Sequence, residues 1–468
     1  MPDFNNYYQV SPERKDHSLP ERYPSNHVSF SPLLFPLKWI SAIYELFGRR
    51  AYNLEKDMLQ EFDSSSQIEN YIGEKNDIAD MRKLLVSYCR GIDNNPHLSA
   101  IGRFLIKKIG IDALKNRRRI LQFYNDNQDF IINNGSFKSP VIIAGSPRSG
   151  TTLLHRLLSE DPNSRSPYTF ELELPLPPLK MEEDPLKDIR IKKSAAAIKT
   201  LSQLAPGFME KIFESHLWSA TEFEESIDYT LSHNGIVQMN CPLAGRSHVR
   251  DILKVEDKRS LFLYEKLFFT TLDAFRPAKS HWVLKATEYA RYFPLIFREY
   301  EDARVVLTHR NPLITLPSLC RLWESWCIAF DKNGSFDKYE FAQFIKLIQE
   351  QYLMVPMTFR NDNPQYEKQI MDCMYEELFS DPIEMVKKIY KKYKLEYTDE
   401  FEKRMVVYLK NNQQGKYGRH KYSLEEYGFR AEQVYEDFFG YIDHYSYKIP
   451  EQKDRPKSFD FLSNYPSN

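Results

Sequence analysis

The stretch VIIAGSPRSGTTLLHRLL, residues 141–158, gathers Arg148, Ser149, Thr151 and Thr152 around two glycines, Gly145 and Gly150, five positions apart. The apolar run before the loop predicts a strand and the run after it a helix. Such a loop aims backbone N–H groups at one spot, and the helix dipole adds positive charge there. The hydroxyls are further donors, and Arg148 is a planar cation suited to bidentate contact with a phosphate. The glycine spacing is that of a phosphate-binding P-loop, but Thr151 stands where a nucleoside triphosphatase has lysine. A second constellation, THRNPLITLPS, places Arg310 at the end of a predicted strand and Ser318 eight residues on, in a helix. A triphosphatase would use an acidic residue near such a strand to hold magnesium. Here the strand ends in Thr308, His309 and Arg310, so no metal is expected. A ligand held without lysine or magnesium should carry less terminal charge than ATP, and a phosphosulfate fits that description.

These residues need elements to position them. Short apolar runs alternate with helical patterns after residue 138: VIIAG, HWVLKA and ARVVLTHR read as strands, with QIMDCMYEEL a further candidate. That alternation predicts an α/β fold, a P-loop-like parallel sheet flanked by helices. Residues 1–30 read as an extended arm. Residues 31–135 read as a helical N-terminal region, with apolar residues at three- and four-residue intervals. The α/β domain is placed at 138–468, with an insertion at 171–240 on the substrate side. SPLLFPLKWISAIYELFGRR, interrupted by Pro36, Lys38 and Glu45, is too short and polar to span a bilayer; it could lie on a membrane surface, but a buried amphipathic helix is the reading preferred. KKIYKKYKLEY alternates basic and aromatic residues, but Met385, Ile389, Tyr390 and Tyr393 share one helical face, which leaves the lysines solvated and favours that reading over a nucleic-acid one.

The 64 basic and 65 acidic side chains give a net charge of −1, so any anion site must be local. The five cysteines lack metal-ligand spacing, and the N-terminus has no apolar signal region. Reduced thiols and a cytoplasmic location are the expectation, with no transmembrane segment.

GSPRSGTT resembles the 5′-phosphosulfate loop of sulfotransferases that use 3′-phosphoadenosine-5′-phosphosulfate (PAPS), and Arg310 with Ser318 resembles their 3′-phosphate motif. The likeness runs over about 138–430 and is nearest to the bacterial-type and tyrosylprotein sulfotransferases. It implies that Arg148, Ser149, Gly150, Thr151 and Thr152 bind the phosphosulfate and that Arg310 and Ser318 bind the 3′-phosphate. It further implies PAPS as sulfuryl donor and a hydroxyl-bearing small molecule or carbohydrate as acceptor.

The resemblance also suggests the catalytic groups. Tyrosylprotein sulfotransferases carry a glutamate base shortly after the loop helix, which points to Glu171 in SPYTFELELP, with Glu173 as fallback. Lys285, ending the strand HWVLK, matches a lysine beside the bridging oxygen. Where relatives carry histidine bases this chain has Thr287 and Tyr289. His216 is an alternative base, and Lys416, Arg419 and Lys421 are candidates for closing over the nucleotide. His155 and His309 read as facing away from the ligand. Two other functions stay open on the residues alone: a P-loop small-molecule or nucleoside kinase, and a catalytically inactive nucleotide-binding relative. The acceptor and the oligomeric state are not legible.

Overall fold

The computed structural model describes residues 31–47, 51–66, 75–204, 219–245, 258–328, 330–331, 337–412 and 423–445. The 1–30 arm, His216, and the segment carrying Lys416, Arg419 and Lys421 lie outside the described residues.

Helices α1 (Phe35–Leu46), α2 (Glu55–Ser66), α3 (Lys75–Asn94), α4 (Ala100–Asp126) and α5 (Gln128–Asn134) precede the sheet. The chain then forms β1 (Val141–Gly145), α6 (Thr151–Leu158), β2 (Ser164–Arg165), α7 (Thr169–Glu173), α8 (Ile189–Leu204), α9 (Ser226–His233) and α10 (Arg259–Phe275). Next come β3 (His281–Lys285), α11 (Phe293–Glu299), β4 (Arg304–His309), α12 (Pro312–Ile328), α13 (Lys338–Asp362) and β5 (Ile370–Met374). Helices α14 (Tyr375–Ser380), α15 (Pro382–Tyr393), α16 (Asp399–Asn411), α17 (Ala431–Asp437) and α18 (Phe439–His444) follow.

The five strands run parallel in the order β2-β3-β1-β4-β5. All five residues of β1 are buried, as a strand covered on both faces requires. Its side chains alternate between two cores. Val141 and Ile143 meet Leu154, Leu157, Val306 and Ile389 on one face. Ile142 and Ala144 join Trp282, Leu284 and Phe269 on the other, together with Leu54 just before α2 and Tyr88 and Ile120 from the N-terminal helices. On α15, Met385, Ile389, Tyr390 and Tyr393 are buried while Lys388, Lys391 and Lys392 are exposed, the face expected from the spacing. Register sets Ile143 opposite Lys285 and Gly145 opposite Thr308, so the loop after β1, Lys285 and Arg310 share the carboxyl edge of the sheet. That is where ligands bind in open parallel sheets.

One buried carboxyl in this core makes a testable statement. Glu265, on α10, is fully buried and accepts hydrogen bonds from Tyr289 Oη and Thr230 Oγ1. Burial pushes it from 4.5 up to about 7 against those hydrogen bonds. A raised carboxyl pKa means the folded state holds the extra proton between these two values, so stability is greatest below the lower one and falls as pH rises to about 7. The fall from this one group is on the order of 3 kcal/mol. Comparing chemical-denaturation stability across this window, the Glu265→Gln curve should be flatter than that of the unsubstituted chain by this amount; parallel curves would refute it.

Candidate active site

The loop Ser146–Gly150 turns between β1 and α6 with positive φ at Gly145 (130°), Arg148 (73°) and Gly150 (94°). At Gly145 a Cβ would stand 2.4 Å from Thr308 Oγ1 and 2.6 Å from its carbonyl oxygen, so only glycine lets the β1 end lie this close to β4. Gly150 is the N-cap of α6 and supplies no capping side chain, which leaves the first amides of the helix facing the loop.

The hydroxyls of the loop divide into two groups. Ser146 Oγ donates to Gln349 Oε1 (2.9 Å), and Gln349 Nε2 donates to Thr315 Oγ1 (3.0 Å). Ser149 Oγ donates to Ser146 O (2.5 Å) and lies 2.7 Å from Thr308 Oγ1, which in turn donates to Ala144 O. The Ser149 hydroxyl therefore shapes the loop and points to the sheet. Thr151 is buried, and Thr152 is exposed on the first turn of α6.

The two predicted anion motifs meet. Arg148 Nε donates to Ser318 Oγ at 3.0 Å, and Arg310 Nη1 donates to the Arg148 carbonyl at 2.8 Å, a contact 162 residues apart in sequence. The Arg310 guanidinium lies over the Tyr375 ring at 3.7 Å. Its buried Nε has no hydrogen-bond partner among the described residues. An orphaned guanidinium N–H, a second guanidinium and the open amides of α6 form a donor set that suits a phosphate or sulfate. Tyr375 was not anticipated. It follows β5 directly, and its ring, with Leu378 and Phe379, also packs against Gly150.

Lys285 has a partner that the sequence did not single out. Its Nζ lies 2.8 Å from Glu225 Oε2, with both side chains at most 10% exposed. Glu225 Oε1 accepts from the Thr287 amide (2.7 Å) and from Thr287 Oγ1. Burial alone would lower the Lys285 ammonium, but Glu225 and Glu224 outweigh it and hold it above its ordinary value. Asp228, one turn along α9, is pushed well above the usual carboxylate range by burial and by Glu225. His155, buried on α6, is held well below its usual value by burial and then by Arg156 and Lys285, so the imidazole is neutral. The only sequence signal for Glu225 was the acidic run TEFEES, sixty residues before Lys285.

The Glu171 carboxylate is engaged within the protein. Its carboxylate is 1% exposed; Oε1 accepts from Arg165 Nη2 (2.8 Å) and Oε2 from the Tyr168 amide (3.2 Å). The short helix α7 needs an acceptor for its first amides, and buried Arg165, stacked on Trp282 at 4.3 Å, needs a counterion. Glu171 meets both needs, each of its oxygens accepting one hydrogen bond. Glu173 accepts from Ser194 Oγ on α8. His309 faces away from Arg310, as expected: its Nε2 lies 2.8 Å from Asp372 Oδ1 and its Nδ1 2.8 Å from Tyr441 Oη. All five cysteines are buried free thiols.

The sheet order and the glycine loop at the head of α6 define a P-loop-like α/β protein, built without the triphosphatase lysine. Comparison with known proteins narrows the class. The sequence model described as the sulfotransferase family matches residues 140–399, more than half of the chain, and the chain belongs to that family. By family it is a transferase. Its fold is similar to that of the sulfotransferase STF9 of Mycobacterium avium, with a TM-score of 0.71, 21% identity, and coverage of 84% of this chain and 96% of that one. The sulfotransferase STF1 of Mycobacterium tuberculosis H37Rv is also similar, with a TM-score of 0.64, 21% identity, and coverage of 81% and 98%. No curated protein matches the chain at a significant level.

Proposed function

We propose that the chain transfers a sulfuryl group from PAPS to a hydroxyl of a small-molecule or carbohydrate acceptor. The observation that carries this reading is the convergence of Arg148, Ser318 and Arg310 beside the open amides of α6. Arg148 and the backbone of Gly150, Thr151 and Thr152 would hold the 5′-phosphosulfate, with Ser149 fixing the loop that presents them. Arg310 and Ser318 would hold the 3′-phosphate. PAPS, when bound, supplies the activated sulfuryl group. Lys285 offers a fixed ammonium at the sheet edge where negative charge develops on transfer, and a preorganised cation needs no rearrangement there. Glu225, which already accepts hydrogen bonds from Thr287 and pairs with Lys285, is the carboxylate placed to take the proton of the acceptor hydroxyl.

The nucleotide half of the reading is tested by thermal shift. The desulfated product, 3′-phosphoadenosine-5′-phosphate, should stabilise the protein without magnesium, by about 2.7 kcal/mol at a hundredfold excess over Kd. ATP, with no 3′-phosphate for Arg310 and Ser318, should stabilise it far less. Equal stabilisation by ATP would return the kinase reading.

A further inference from the structure

Helix α1 is turned inside out with respect to water. It rests on the body through a narrow stripe: Leu34, just before the helix, and Ser41 are each 8% exposed, and Tyr52 Oη donates to the Leu37 carbonyl between them. Leu37 itself is half-buried. A helix that buries its serine exposes Trp39 (74%), Ile43 (54%) and Leu46 (83%), with Phe35, Ile40 and Tyr44 also exposed. At about 100° per residue these six side chains span roughly 180° of the circumference. The sequence expectation of a buried helix fails because the apolar arc is on the side away from the core.

The breadth of that arc and its charge identify what covers it. A coiled-coil partner needs only a narrow seam of about two positions in seven. A half-circumference with Trp, Tyr and Phe among aliphatics is the pattern of a helix lying in a lipid interface. Residues 31–50 carry Lys38, Arg49 and Arg50 against a single acid, Glu45, a balance complementary to anionic headgroups. At twelve residues α1 is about 18 Å long, too short to cross a hydrocarbon core of about 30 Å. No helix among the described residues is long and apolar enough to cross a membrane.

We propose that α1 docks the protein flat on an anionic lipid surface, with Trp39, Ile43 and Leu46 inserted. Vesicle co-sedimentation of the full chain tests this. Binding is expected to phosphatidylcholine–phosphatidylserine vesicles, weakening with added salt and weaker still to phosphatidylcholine alone. Trp39→Ser and Ile43→Ser should each lower the partition coefficient by about tenfold, the loss of one buried apolar side chain. Both positions are exposed, so the melting temperature should not move, which separates lost docking from lost fold. Failure of the full chain to bind anionic vesicles would overturn the proposal, as would equal binding by the variants. So would a self-association in sedimentation velocity that the variants abolish without any vesicle binding, since the occupant would then be a second copy.

Discussion

Arg310→Ala is expected to lower affinity for 3′-phosphoadenosine-5′-phosphate by a factor on the order of 10² or more. Loss of a desolvated charge-assisted contact costs about 2–5 kcal/mol, and each 1.4 kcal/mol is about tenfold. The side chain is prepared for the contact: Tyr375 holds the guanidinium plane at 3.7 Å, and its buried Nε has no partner among the described residues. Arg310→Lys should recover little, because a point-charge ammonium reproduces neither the stacking nor the fork of donors. Isothermal titration with the bisphosphate reads the effect directly and needs no acceptor. The loss of the bond to the Arg148 carbonyl is controlled by the melting temperature of the ligand-free variant. Undiminished affinity in a folded variant would remove Arg310 from the nucleotide site.

Glu225→Gln is expected to lower turnover by about 10²–10⁴, the usual contribution of a positioned carboxylate base. Glutamine keeps an acceptor for the Thr287 amide but cannot take a proton, and it leaves Lys285 buried beside a neutral partner. Breaking a buried ion pair destabilises by about 3–5 kcal/mol, so the variant should also melt earlier. Bisphosphate affinity should survive, because Glu225 lies at the Lys285 end of the site and not among the residues proposed to contact the nucleotide. Glu171→Gln separates the two glutamates. It strands Arg165 and should cost stability, yet a folded Glu171→Gln protein should turn over normally. The reverse pattern, with Glu171→Gln inactive and stable and Glu225→Gln active, would restore the base suggested by the sequence resemblance.

The convergence of Arg148, Ser318 and Arg310, the proposed nucleotide side, was legible before the fold because its two motifs are local. A strand, a glycine loop and a helix are contiguous, and Arg310 and Ser318 lie one strand end and two helical turns apart. β1, β3 and β4 announced themselves as short apolar runs between polar breaks. β2 did not, since two residues carry no periodicity. The acceptor side depends on distant partners. Nothing around Glu225 tells that its neighbour is Lys285, and nothing in SPYTFELELP tells that Arg165 will claim Glu171. For α1 the apolar composition was read correctly and its direction wrongly, because hydropathy says that a face seeks cover and not which surface supplies it.

The Ser149–Thr308–Ala144 and Ser146–Gln349–Thr315 hydrogen-bond chains have a thermodynamic consequence. Both ends of the phosphate loop are tied to neighbouring elements before any ligand arrives. A loop already ordered gives up little conformational entropy on association, so more of each donor contact survives as affinity. Capture should then be limited by encounter and not by loop folding. Differences in affinity among donor analogues should accordingly reside in how fast they leave.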